Sequence, residues 1–224
     1  MTMPMKKPTQ SGTRKQSAFT LIELLVVIAI IGILAALTFP TVTSIKENAT
    51  RRKVKAELHQ VQTAIDSYHA KFGFYPPDNP CSVLTNQLYF ELLGVVLNAN
   101  TFETLDGSAR ILDTVTDFQT VFGQSVGPCV RGFVNVSKGA GSDDAVSATA
   151  FLKGLKPNQY GEIKPNVRVL TCSVTSADDS INPWRYNSSS PTNNSGSYDL
   201  WVDISIAGKT NRISNWSEQP QIVN

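Results

Sequence analysis

Three hydrophobic patterns follow one another along the chain. From Phe19 to Phe39 the residues are apolar on every face, over 21 positions interrupted by Thr20, Glu23, Gly32 and Thr38. At about 1.5 Å rise per residue, a helix of that length reaches roughly 30 Å, the thickness of a bilayer's hydrocarbon core. The run predicts a helix long enough to cross a membrane. Beyond Pro40 the pattern changes: Val54, Leu58, Val61, Ile65, Tyr68 and Phe72 recur at alternating spacings of four and three. That is the stripe of an amphipathic helix packed on its own domain. Gly73, with Pro76 and Pro77 behind it, should stop this helix. From Cys81 onward the pattern is mixed. It predicts helices around Thr85–Leu97 and Leu112–Phe122 and strands at Val167–Val174 and Tyr198–Ile206. The Ser- and Asn-rich stretch Asn187–Ser197 and the segment Gly139–Asp144 read as an exposed loop and a turn.

These patterns divide the chain into a basic leader (1–18), an apolar helix (19–40), an amphipathic helix continuing into the head (41–73) and an α+β head (74–224). The leader carries Lys6, Lys7, Arg14 and Lys15 and no acidic residue, which favours a cytoplasmic leader and an extracytoplasmic head. A second basic group, Lys46, Arg51, Arg52, Lys53 and Lys55, opposes that bias from the other flank. An ordinary secretory signal has a shorter apolar region followed by a small-residue cleavage site, and the run here continues past that length. Pro40 removes one backbone donor and crowds the carbonyl of Ala36, so a kink is expected there.

Glu23 is the residue in the apolar run that needs a reason. A carboxylate at the centre of a membrane helix costs roughly 2.5–3.5 kcal/mol, and the segment offers it no cation. Cutting the chain between Ala18 and Phe19 would supply one, because the new amine at Phe19 lies one helical turn from Glu23. The same amine could instead meet Glu23 of a neighbouring subunit, so that charge neutralisation sets the register of a laterally packed filament.

The stretch Ala18-Phe19-Thr20-Leu21-Ile22-Glu23-Leu24-Leu25-Val26-Val27-Ile28-Ala29-Ile30-Ile31-Gly32-Ile33-Leu34-Ala35-Ala36 resembles the cleavage and methylation segment of type IV prepilins and type II secretion pseudopilins. The resemblance implies a type IV pilin-like fold: a long N-terminal helix, membrane-spanning then amphipathic, packed on a head with a small antiparallel sheet. It also implies cleavage before Phe19 by a membrane aspartyl prepilin peptidase, methylation of the Phe19 amine, and a charge-pairing role for Glu23 in assembly. Ala18 departs from the glycine usual before the cut, and Pro40 falls where many members carry a helix-kinking proline. The tail segments Asn182-Pro183-Trp184-Arg185-Tyr186, Tyr198-Asp199-Leu200-Trp201 and Ile213-Ser214-Asn215-Trp216 are similar to the C-terminal region of major pseudopilins. In those proteins calcium often pins the C-terminal loop. Here Asp199 and Asp203 are the calcium candidates, but Ala207-Gly208-Lys209 lacks the acid expected beside the glycine, and no metal or other cofactor is assigned.

The 224 residues, 41% of them hydrophobic, suffice for a real core, and a net charge of +2 gives no reason to expect a nucleic-acid partner. The basic group from Arg51 to Lys55 reads as a solvated face just outside the membrane. Cys81, Cys129 and Cys172 fit no zinc or C-x-x-C spacing and leave any one of three disulfides open. His59 and His69, ten residues apart on one helix, form no metal pair. No phosphate loop, nucleophile elbow or H-E-x-x-H is present. The expectation is a non-enzymatic filament subunit of a type II secretion-like pseudopilus. Its partners are copies of itself, related pilin-like subunits, the prepilin peptidase and the inner membrane. A type IV pilin for adhesion, DNA uptake or motility is the alternative, and a signal-anchored extracytoplasmic enzyme or binding module lies outside the class.

Overall fold

A single helix, α1 (Leu21–Phe72), accounts for 52 residues. The computed structural model describes residues 19–125, 127, 129–138, 147–176 and 180–223, without the side chains of residues 37–43. The leader and the turn expected at Gly139–Asp144 lie outside these residues. The chain divides into two compact units, Met1–Ile45 and Lys46–Asn224, and α1 contributes to both. Its assignment runs on through Pro40, whose side chain is not among those described.

In the second unit the apolar stripe of α1 is the spine of the head. Val54, Leu58, Val61, Ile65 and Tyr68 are each buried to 4% exposure or less, and Phe72 packs against the same core. Gly73 ends the helix in the left-handed region at φ +80°, its N–H donating to His69 O at 2.8 Å.

The elements that follow are α2 (Leu88–Leu93), β1 (Val95–Asn98), β2 (Thr101–Thr104), β3 (Arg110–Leu112), α3 (Val115–Phe122), β4 (Val136–Lys138), β5 (Tyr160–Lys164) and β6 (Val167–Cys172), then β7 (Asn182–Pro183), β8 (Arg185–Asn187), β9 (Asp199–Ile206), β10 (Lys209–Ser214) and β11 (Ser217–Val223). They form three sheets, ordered β3-β2-β1-β4, β5-β6-β7 and β11-β10-β9-β8. The pairs are antiparallel except β1 with β4, which is parallel. The single small sheet of the expectation is therefore three.

Two predicted helices are shortened for visible reasons. Gly94 (φ +74°) ends α2, and a Cβ there would meet Leu105 and the Thr149 carbonyl at 3.0 Å, so the chain turns out and Val95 to Asn98 enter a strand. Leu112 belongs to β3, and α3 starts only after Thr114, whose hydroxyl accepts from Asp117 N at 3.1 Å. In β9, Leu200, Val202, Ile204 and Ile206 face the core while Trp201, Asp203 and Ser205 point away. A two-residue turn with positive φ at Ala207 (51°) and Gly208 (73°) leads back into β10. Of the three possible disulfides, the one formed joins Cys81 to Cys129, with Cα atoms 5.9 Å apart, and Cys172 is a buried free thiol.

Candidate functional site

The start of α1 is built by its own side chains. Thr20 precedes the helix, its hydroxyl accepting from Glu23 N at 3.3 Å. The Glu23 carboxylate reaches back to accept from Thr20 N at 2.9 Å and from the Thr20 hydroxyl at 2.6 Å, both at Oε2. This is a capping box, in which two helix-start donors are satisfied reciprocally. The signal was legible as Thr20-x-x-Glu23, although charge alone had drawn attention to Glu23. Among the described residues no donor reaches Oε1.

Phe19 is 77% exposed, and every large apolar side chain from Leu21 to Leu34 is between 46% and 81% exposed. They point to all sides of the helix, so no single surface could cover them. In the single chain Glu23 lies at the mouth of an uncovered apolar rod. Its carboxylate is fixed by Thr20 and open on one oxygen. Among the described residues no helix is long and apolar enough to cross a membrane. Ala18, the other side of the expected cut, lies outside the described residues.

The calcium candidates are engaged by the protein. Asp199 accepts from Thr192 N (2.8 Å), Asn193 N (3.0 Å), Asn193 Nδ2 (2.9 Å) and the Thr192 hydroxyl (3.2 Å) at Oδ2, and from Asn194 N (2.9 Å) at Oδ1. Burial pushes its carboxyl up, but the donors from Asn193, Thr192 and Asn194 outweigh it and hold the group below the usual carboxylate range. Asp203 takes both Nε and Nη2 of Arg212, at 2.8 and 3.0 Å, with Arg185 Nη2 3.9 Å away. Calcium requires six to eight oxygens, and a ring of N–H donors and guanidinium groups does not suit it. Among the described residues no three His, Cys, Asp or Glu side chains are grouped to hold a metal ion. The Ser/Asn loop is thus wound onto a carboxylate. At its other end Asp78, which the sequence pattern did not single out, accepts from Ser188 N and Ser189 N at 3.1 Å each. His69 stacks on Tyr75 at 4.3 Å, and the carbonyl of His59 accepts from the Thr63 hydroxyl.

The family model described as the prokaryotic N-terminal methylation motif matches residues 13–39, the segment that holds Phe19, Thr20 and Glu23. Fimbrial protein EcpB of Eikenella corrodens is 38% identical over 125 residues, covering 54% of this chain and 77% of that protein. The chain belongs to the type IV pilin and pseudopilin family. This pilin-family chain is also similar to type II secretion system core protein G of Escherichia coli K12, 40% identical over 68 residues, 30% of the chain and 47% of the relative. The same protein of Aeromonas hydrophila is 41% identical over 63 residues, 28% of the chain and 44% of the relative. The chain spans under half the length of these secretion relatives. These relatives are a fimbrial protein and secretion-system core proteins, so the chain is a structural protein and not an enzyme. No solved structure matches it.

Proposed function

We propose that this chain is a filament subunit of a type II secretion-like pseudopilus, made as a single-pass inner-membrane precursor with its head outside the cytoplasm. The prepilin peptidase cuts between Ala18 and Phe19, and the new Phe19 amine is methylated. The mature helix then leaves the bilayer to pack against the same helix of other subunits in a type IV pilin-like arrangement.

The observation that carries this reading is the apolar helix exposed on every face, with Glu23 fixed at its start. An all-round apolar surface requires lipid or other helices around it. Within such surroundings an unpaired carboxylate is costly, so a neighbour's Phe19 amine that neutralises it selects one stagger between subunits. Thr20 sharpens this by holding one oxygen and leaving the other open. Asp199 organises the C-terminal loop through backbone donors, and the proposal assigns calcium no role in it.

The test is mass spectrometry of the N-terminus of protein taken from membranes of its native host. A mature chain beginning at methylated Phe19 is the expected result. An intact leader, or a cut elsewhere, would sink the proposal.

The greater coverage of the fimbrial relative favours one second reading, a surface pilus for adhesion, DNA uptake or motility. Deleting the gene separates the two: loss of an exported protein with surface fibres intact supports the pseudopilus, and the reverse supports the pilus.

A further inference from the structure

The filament reading makes no use of a cationic groove at the base of the head. Between α1 and the β10–β11 hairpin lies a cavity of about 310 Å³, lined on the helix side by Arg51, Arg52 and Lys55 and on the strand side by Ile213, Glu218 and Pro220. The three cations fall on the turn of α1 flanking Val54, which is fully buried in the core, so the helix cannot rotate them away. Arg51 donates through Nε and Nη2 to Asn211 Oδ1, each at 3.4 Å, and through Nη1 to Asn48 Oδ1 at 3.3 Å. Lys55 Nζ donates to the Glu218 carbonyl at 2.8 Å. These hydrogen-bond acceptors are neutral oxygens, which position the cations, and among the described residues only Arg51 of the three has a carboxylate within ion-pair distance. Arg52 is exposed, and among the described residues it has no hydrogen-bond or ion-pair partner.

The charge is concentrated. From residue 46 to 55 five cations stand against Glu47 alone, whose carboxylate is 3.6 Å from Arg51 Nη1. Glu218 is the one carboxylate in the groove lining. Beside this charge sits apolar surface: Ile222, 62% exposed, is the register partner of Asn211, the residue that holds Arg51. Along the chain, Arg51 to Lys55 follow the end of the apolar run by only 12 to 16 residues. An anion with an apolar body, held close to a bilayer, matches all of these features. It also accounts for a basic cluster on the flank that topology bias leaves poor in cations.

We propose that this groove binds the phosphate of an anionic phospholipid headgroup, with Arg52 as the open ligand and Arg51 and Lys55 as fixed cations on either side. Guanidinium groups match phosphate geometry, and a juxtamembrane basic cluster gains affinity with each cation near an anionic surface. The proposal rests on the membrane-anchored reading above. It adds that the head docks on the bilayer before assembly and must release that lipid to leave it.

The test uses the full chain in a neutral detergent, titrated with fluorescent phosphatidylglycerol and, separately, with phosphatidylcholine. The expected result is a preference of about tenfold for phosphatidylglycerol at low salt, shrinking as salt is added. Arg51→Gln/Arg52→Gln/Lys55→Gln should bring the preference close to unity. Arg52→Gln alone, which removes a side chain with no partner in the fold, should lower it a few-fold with the thermal midpoint unchanged. Equal binding of the two lipids, or a preference that both variants keep, overturns the proposal. So does complete displacement of the lipid by millimolar inorganic phosphate, which would make this a free-phosphate site. Tighter binding of a short DNA duplex, lost in the same variants, would assign the groove to nucleic acid instead. Failure of the anchor reading looks different, because the chain would then stay out of the membrane fraction whatever the lipid.

Discussion

The two halves of α1 share one secondary structure and have opposite surfaces. From Leu21 to Leu34 the large apolar side chains are exposed on every side, whereas from Val54 to Tyr68 the apolar stripe is buried to 4% exposure or less. Both are helical, so backbone propensity does not distinguish them. The arrangement of apolar positions does. A stripe can be satisfied by one surface, and the head supplies it; an all-round apolar helix needs a surrounding medium, which one chain cannot supply. Mutations in the two halves should therefore fail in different assays. The largest effect expected is on assembly: Glu23→Ala removes one partner of the proposed pair, and filament yield should fall about a hundredfold or more. Sedimentation and electron microscopy of filaments would check it, with the melting point of the head unchanged. Filaments at parental yield would remove charge pairing from the account. Leu58→Ala should do the converse, destabilising the head by about 2–5 kcal/mol in urea titration through a core cavity. Cleavage before Phe19 should be untouched by it.

Local signals were legible and non-local ones were not. The stripe from Val54 to Phe72 and its stop at Gly73 could be read because helical period and a terminating glycine are properties of neighbouring residues. The apolar run Leu92-Leu93-Gly94-Val95-Val96-Leu97 hid a change from helix to strand, since burial on both sides of Gly94 masks periodicity. Strands β10 and β11, Lys-Thr-Asn-Arg-Ile-Ser and Ser-Glu-Gln-Pro-Gln-Ile-Val, carry almost no alternation. Their pairing is directed by β9 and the Ala207-Gly208 turn. At the site, Phe19 and Glu23 stood out from sequence. The capping role of Thr20 was written there too, but in polar spacing and not in charge. Asp199 sits at an outward position of its strand, and what buries it is a loop folded back from Thr192 to Asn194.

The disulfide sharpens the comparison within the second unit. Cys81 and Cys129 are 48 residues apart, and reducing or replacing the pair should cost the head about 2–4 kcal/mol, seen as a lower thermal midpoint. Helix content in the apolar half should not change. Burial pushes the remaining thiol, Cys172, up to about 12. The folded protein should therefore resist alkylation at neutral pH until the head is unfolded. Rapid labelling of Cys172 in the native state would contradict the buried core drawn around β6.

The smallest effect concerns a second glutamate without a cation. Glu23 is proposed to take its partner from outside the chain; Glu91 on α2 is fully buried and supplied from within. It accepts from Val134 N at 2.8 Å, from Asn135 N at 3.0 Å and from the Tyr68 hydroxyl at 3.0 Å. Burial pushes its carboxyl above the ordinary value of 4.5, and these three donors only partly offset the rise. The folded head thus binds this proton more tightly than the unfolded chain does. The stability this contributes is complete below the unfolded value and is lost as pH rises through the folded one. Asp199, held low, acts in the opposite sense, its contribution fading as pH falls through its folded value. Comparing Glu91→Gln with the parent cancels the Asp199 contribution. The glutamine keeps the shape but presents one oxygen to two backbone N–H groups, so it should cost about 1–3 kcal/mol in acid. Because the parent alone loses stability above the ordinary glutamate value, the gap in urea midpoints should narrow as pH rises. A gap that widens would mean that the donors outweigh burial and that Glu91 is held ionised in the core.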